Sequence, residues 1–252
     1  MSGMLDVVRA VGWRTWTITW RRPVLLTFSL GQPLVWMLFF GFLFHKFPLE
    51  GIGYLDFLAP GVSVMTVLFG ASQSGIGWIR DLGTGFLPRM LSTPASPAAI
   101  LGGKVLADVT RLLLQAAAVL LLALLLGARL RPDPAALGVA LVCLLLFAAA
   151  FSCLSAAVAL QVRAQEAMAT FVHLVNMPLL FTSTALVPRA QMPGWLAAVS
   201  RFNPLTLAVD AWRGALLFGE MPAARSLLLL AVFAAVLFLF ALSRMRAAAG
   251  RY

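Results

Sequence analysis

Apolar residues run almost unbroken through 57–78, 101–127, 135–160 and 222–243, and two further runs, more often interrupted by polar positions, occupy 23–44 and 166–187. A helix needs roughly 20 such residues to cross about 30 Å of hydrocarbon, and each run is near that length. Lipid offers the backbone no hydrogen-bond partners, so each run is expected to be a helix. The pattern predicts an all-α integral membrane protein with six transmembrane helices. Ahead of the first run, Trp13, Trp16 and Trp20 recur at helical spacing in 3–21, beside Leu5, Val8, Asp6, Arg9, Arg14 and Arg21. A tryptophan stripe with basic flanks predicts an amphipathic helix lying in the headgroup plane.

The runs differ in what interrupts them. Span one opens at Pro23 and carries Gln32 and Pro33 at mid-depth, where a kink is expected. Span two carries Gly70-Ala71-Ser72-Gln73-Ser74-Gly75, whose small residues four apart let helices approach closely. Spans three and four are rich in Leu and Ala and read as lipid-facing scaffold, joined by a tight turn at 129–134. Span five holds Glu166, Thr170, His173, Asn176, Pro178, Thr182, Ser183 and Thr184. Two connections stand out. In 79–100, glycines open the stretch and prolines close it around a helix of about two turns. There Phe86, Leu87, Met90 and Leu91 share a face. In 188–221, Pro193-Gly194-Trp195-Leu196 and Asn203-Pro204-Leu205 predict short re-entrant or interfacial helices before the last span.

Composition changes the picture in one way. Residues are 62% hydrophobic and 11% charged, so 252 residues hold one membrane domain, 1–252, and no soluble catalytic domain. The net charge of +10 is read as topology, since no dense basic patch exists to hold nucleic acid. With a cytoplasmic N-terminus and alternating spans, Arg9, Arg14, Arg21, Arg22, Arg80, Arg89, Lys104, Arg111, Arg163, Arg244, Arg246 and Arg251 fall inside. Lys46, Arg129, Arg131, Arg189, Arg201, Arg213 and Arg225 fall outside. That excess of basic residues predicts both termini inside. Cys143 and Cys153 sit ten residues apart in span four and are read as apolar filler.

The chemistry is sparse. Gly102-Gly103-Lys104-Val105 lacks the loop length and hydroxyl of a P-loop, so no ATP site is expected on this chain. No metal-ligand spacing occurs, and His45 and His173 are the only histidines. A Ser183–His173 hydrolase pair lacks the nucleophile elbow that would support it. His173 is open to three readings: a proton relay, a polar wall of a substrate path, or a packing residue.

Three strings then resemble one family. Phe57-Leu58-Ala59-Pro60-Gly61 is similar to a Pro-Gly segment at the start of span two in ABC type-2 exporter permeases. Asp81, Gly85, Arg89, Pro94, Ser96, Gly103 and Asp108 resemble the loop pattern of the nodulation-factor and anthracycline-resistance branches. Pro193, Trp195, Asn203-Pro204-Leu205, Asp210 and Arg213 resemble the outer signature before the last span. The resemblance implies a multi-pass transmembrane subunit in the cytoplasmic membrane of a prokaryote, without bond chemistry of its own. It implies export of an amphipathic drug, lipid or lipid-linked saccharide. It also implies a second permease copy and two copies of a separate ATPase subunit that binds ATP and Mg; no cofactor is expected here. Phe86, Leu87, Arg89, Met90 and Leu91 would form the helix that couples to the ATPase, with Pro88 delaying its start. Gln32, Ser63, Thr66, Gln73, Thr170, His173, Asn176 and Thr182 would line the substrate path, and Pro193, Trp195, Asn203 and Pro204 the outer gate. The polar groups of spans one, two and five place the dimer contact there, with spans three and four outside. The competing reading is a proton-coupled carrier or an integral membrane enzyme.

Overall fold

A computed structural model describes residues 4–21, 23–44 and 52–250; the side chains of residues 19, 20, 23–30 and 32 lie outside the described set. The chain is helical, with no strand among the described residues. In order these are α1 (Met4–Trp20), α2 (Pro23–Leu43), α3 (Tyr54–Gln73), α4 (Gly75–Gly83), α5 (Phe86–Leu91), α6 (Pro97–Leu125), α7 (Pro134–Val162) and α8 (Gln165–Phe181). The segment after α8 breaks into a 3-10 turn (Arg189–Gln191), α9 (Gly194–Ser200), α10 (Pro204–Arg213) and a π turn (Gly214–Phe218). The chain closes with α11 (Ala224–Ala249).

Local sequence sets several of these starts. Ser96-Pro97, Asp133-Pro134 and Asn203-Pro204 each put a capping side chain before a proline at the first helical position. The caps accept from Ala99 N, Ala136 N and Leu205 N respectively. A proline there loses no bond, because the first N–H groups of a helix have no internal partner. The same reason corrects the expectation for Pro88. It is the third residue of α5, where no donor is needed, so the helix starts at Phe86 and is not delayed. Gly85, at φ 71°, supplies the left-handed residue that separates α4 from α5.

Among the described residues, four stretches are long and apolar enough to cross a bilayer: Tyr54–Gly83, Pro97–Leu125, Pro134–Val162 and Ala224–Ala249. The predicted spans at 57–78, 101–127, 135–160 and 222–243 fall within these bounds or shift from them by a few residues. The run predicted at 166–187 ends sooner. α8 stops at Phe181 after 17 residues, where the ring of Pro178 has already removed one backbone donor.

The arrangement departs from the expected one at α3. Of the span α3–α4, 83% of the apolar window is buried within this one chain, against 22% for α11. α3 is packed by α2, α6, α7, α8 and α10. Span two is thus the core of the subunit and presents no broad face for a second copy. α11 lies along α7, and α1 lies along α6. The α1–α6 contact depends on Gly103: a Cβ there would stand 2.6 Å from the Val8 carbonyl oxygen. The N-terminal helix therefore seats on the protein through Val8, Val11 and Gly12, leaving Leu5, Arg9 and Trp13 on its open side. Cys143 and Cys153 are buried and free, as their apolar setting predicts.

Candidate functional site

A charge cluster joins four helices near the α4–α5 corner. Asp81 of α4 accepts from Arg14 of α1 at 3.2 Å and pairs with Lys104 of α6. Lys104 is 5% exposed and lies over the Trp78 ring, 4.2 Å from its centroid. Arg14 in turn lies 3.4 Å from the centroid of Phe86, the first residue of α5. Removing one partner of a buried pair leaves an uncompensated charge, at about 3–5 kcal/mol. The cluster thus holds α1, α4, α5 and α6 in one relative position. Beyond it on α6, Asp108 sits 3.8 Å from Arg111, which donates to the Gly70 carbonyl at 3.2 Å. One Asp108 oxygen, Oδ2, is buried without a partner.

This cluster corrects the reading of span three as lipid-facing scaffold. Lys104, Asp108, Arg111 and Gln115 recur at 104, 108, 111 and 115, the spacing of one helix face. Three are buried and Arg111 is half-buried. A charged stripe inside an apolar run was the available signal, since ionisable residues at membrane depth mark function by default.

The five residues predicted to couple are not equivalent. Leu87 is 2% exposed and belongs to this chain's own core, so it anchors α5 and is not free to enter a partner. Phe86, Met90 and Leu91 remain partly open and Arg89 is exposed. One inward residue, Leu87, holds the other four toward the open side.

The helical hydrogen-bond ladder is interrupted where α3 meets α4. Gly75 N donates to Ser155 Oγ of α7 at 2.8 Å, and that hydroxyl donates to the Ser72 carbonyl at 2.6 Å. Ser72 Oγ donates to Asn176 Oδ1 of α8 at 2.9 Å. The predicted path residues divide here. Ser63, Thr66 and Asn176 are buried inside the subunit, with Ser63 accepting from Trp212 at 3.0 Å and Thr66 donating to the Val62 carbonyl. Gln73, Thr170 and His173 are exposed instead, and Thr182 is half-buried. The Gln32 side chain lies outside the described residues. The structure therefore does not gather these residues along one surface.

The other end of the bundle, around α10, is held by a second network. Arg213 of α10 is buried and donates to the carbonyls of Phe57 at 3.1 Å and Ala185 at 3.2 Å, with its guanidinium 3.7 Å from the Phe57 ring centroid. Burial lowers its pKa to about 10, opposed by Asp210, so it stays charged at neutral pH. Gly61 of the Pro-Gly string is what admits the Ala185 carbonyl, since a Cβ there would collide with it. Asp210 accepts from Arg189 at 2.7 Å and Thr184 at 2.6 Å. Asn203 donates to the Leu179 carbonyl at 2.7 Å and Thr182 Oγ1 at 2.9 Å, tying α10 to the end of α8. Of the predicted gate residues, Asn203 and Pro204 thus build a rigid corner. Pro193, which caps α9, and Trp195 on it are exposed.

Residues 6–217 match the family described as ABC-2 type transporter. The chain belongs to this family. It is 34% identical to the transport permease ycf38 of Cyanophora paradoxa over 77% of this chain and 68% of that one. It is 32% identical to a daunorubicin resistance ABC transporter permease protein, DrrB1, of Streptomyces coeruleorubidus, over 84% and 81% of the two chains. It is 27% identical to a doxorubicin resistance ABC transporter permease protein, DrrC, of Mycobacterium tuberculosis, over 62% and 56%. The chain is therefore a multi-pass ABC type-2 permease, a transmembrane subunit in a family that works with ABC ATPase partners.

Proposed function

We propose that the chain is the single-domain permease of an exporter that moves an amphipathic molecule out of the cytoplasm of a prokaryote. Two copies of a separate ATPase, holding ATP and Mg, drive it, and a second copy of the permease completes the pore. On this reading α2 and α8 also cross, giving six spans with both termini inside. α5 is the element the ATPase pushes. The observation that carries the proposal is the mounting of α5. Leu87 fixes it to the core, and Phe86 contacts Arg14, which shares Asp81 with Lys104. A displacement of α5 would therefore load the contacts that tie α4 to α1 and α6, a population shift driven by nucleotide binding.

Relatives named for daunorubicin and doxorubicin resistance favour an amphipathic drug as the first probe. The permease, purified with the soluble ATPase that accompanies it, is reconstituted into vesicles and daunorubicin transport is followed. Transport is expected with ATP, without a pH gradient, and in His173→Gln, because no proton need be carried in the membrane. Transport driven by a gradient alone and abolished by His173→Gln would favour the carrier.

A further inference from the structure

We infer that Asp108 is a positioning residue for coupling, the second acceptor for Lys104 when α4 moves. This rests on the coupling role proposed for α5. Lys104 is buried, and its ammonium is held by Asp81 on a neighbouring helix. Any transition that carries the α4–α5 corner away from α6 strips that carboxylate from Lys104. An ammonium left alone at this depth is costly, because neither water nor lipid replaces its partner. Asp108 stands four residues further along α6, the spacing at which side chains meet on one helix face. It is 7% exposed, and its Oδ2 has no hydrogen-bond partner, while Oδ1 faces Arg111. A buried carboxylate oxygen left open is expensive to maintain and needs a reason. Serving Lys104 in the second state supplies one: the lysine swings along its own helix from Asp81 to Asp108 and is paired in both states. Asp81, released from Lys104, keeps Arg14 as its partner. The exchange moves no proton and breaks no covalent bond.

The test uses the full permease with its ATPase in vesicles and spin labels at S92C, at the end of α5, and T110C on α6, both exposed positions. In the otherwise unaltered protein, trapping with ATP and vanadate shifts the label distance. Asp108→Asn should keep ATPase association and basal hydrolysis, leave the distance at its nucleotide-free value, and lower transport about tenfold; Asp108→Glu should restore both. Asp81→Asn gives an independent reading that does not depend on how well the Asp108→Asn variant folds. It leaves Lys104 to Asp108, so the distance should already be shifted without nucleotide, and adding Asp108→Asn should cancel that shift. A normal shift and normal transport in Asp108→Asn, or a nucleotide-free distance in Asp81→Asn, overturns the inference while leaving the coupling role of α5 standing. Absence of any nucleotide-dependent shift in the parent protein overturns that role, and this inference with it.

Discussion

Two adjacent glycines in α6 carry opposite burdens. Gly103 lies against α1, with a Cβ position 2.6 Å from the Val8 carbonyl oxygen, whereas a Cβ on Gly102 meets nothing within 4 Å. Gly102→Ala should stabilise the protein by about 0.5–1 kcal/mol, since alanine loses less freedom in a helix. Gly103→Ala should destabilise it by about 1–3 kcal/mol through overpacking and loosen α1. Thermal unfolding in detergent checks the signs, and proteolysis near Arg9 and Arg14 reports on α1. Equal effects would mean that α1 does not seat on this stripe. Sequence showed the Gly-Gly pair but not which of the two meets a neighbour, because that depends on a helix some ninety residues earlier.

For α5 the relevant scale is the element, because its residues act through the direction each one faces. Leu87→Asp buries a charge in the core and should lower the yield of folded protein, whatever the partner does. Met90→Asp with Leu91→Asp alters half-open positions, so the permease should insert normally and lose most ATPase association. Burying a large apolar side chain is worth roughly 1.5–3 kcal/mol, so the loss should approach a hundredfold in affinity. Pull-down of the ATPase, set beside size-exclusion profiles of each variant, separates the two. Unchanged pull-down by the double variant would remove α5 from the interface.

The whole molecule has one axis to settle. If both termini and α5 face the cytoplasm, cysteines at the exposed positions Ser92 and Ala247 should be silent to an impermeant thiol reagent in intact cells. A cysteine at Ala198 on α9 should be labelled at once. Cys143 and Cys153 are buried and should not contribute background. Labelling of Ser92 with silence at Ala198 would invert the molecule, and with it the sense of transport.

Sequence alone determined the helical class, the main apolar spans, the broken segment before the last span and the sites of several helix starts, because these follow from period, length and capping residues within each stretch. The family strings were legible too, yet their physical reasons were not. Gly61 matters because the Ala185 carbonyl approaches it, and Asn203 because it reaches Leu179 and Thr182. Only tertiary structure decided that α3 is the buried centre and that Leu87 points inward. It alone decided that Ser155 completes an interrupted helix and that Asp81 is shared by Arg14 and Lys104. Each of these is a contact between residues far apart in the chain. Apolar periodicity cannot orient a helix that is apolar all round, so which face meets protein is fixed by its neighbours.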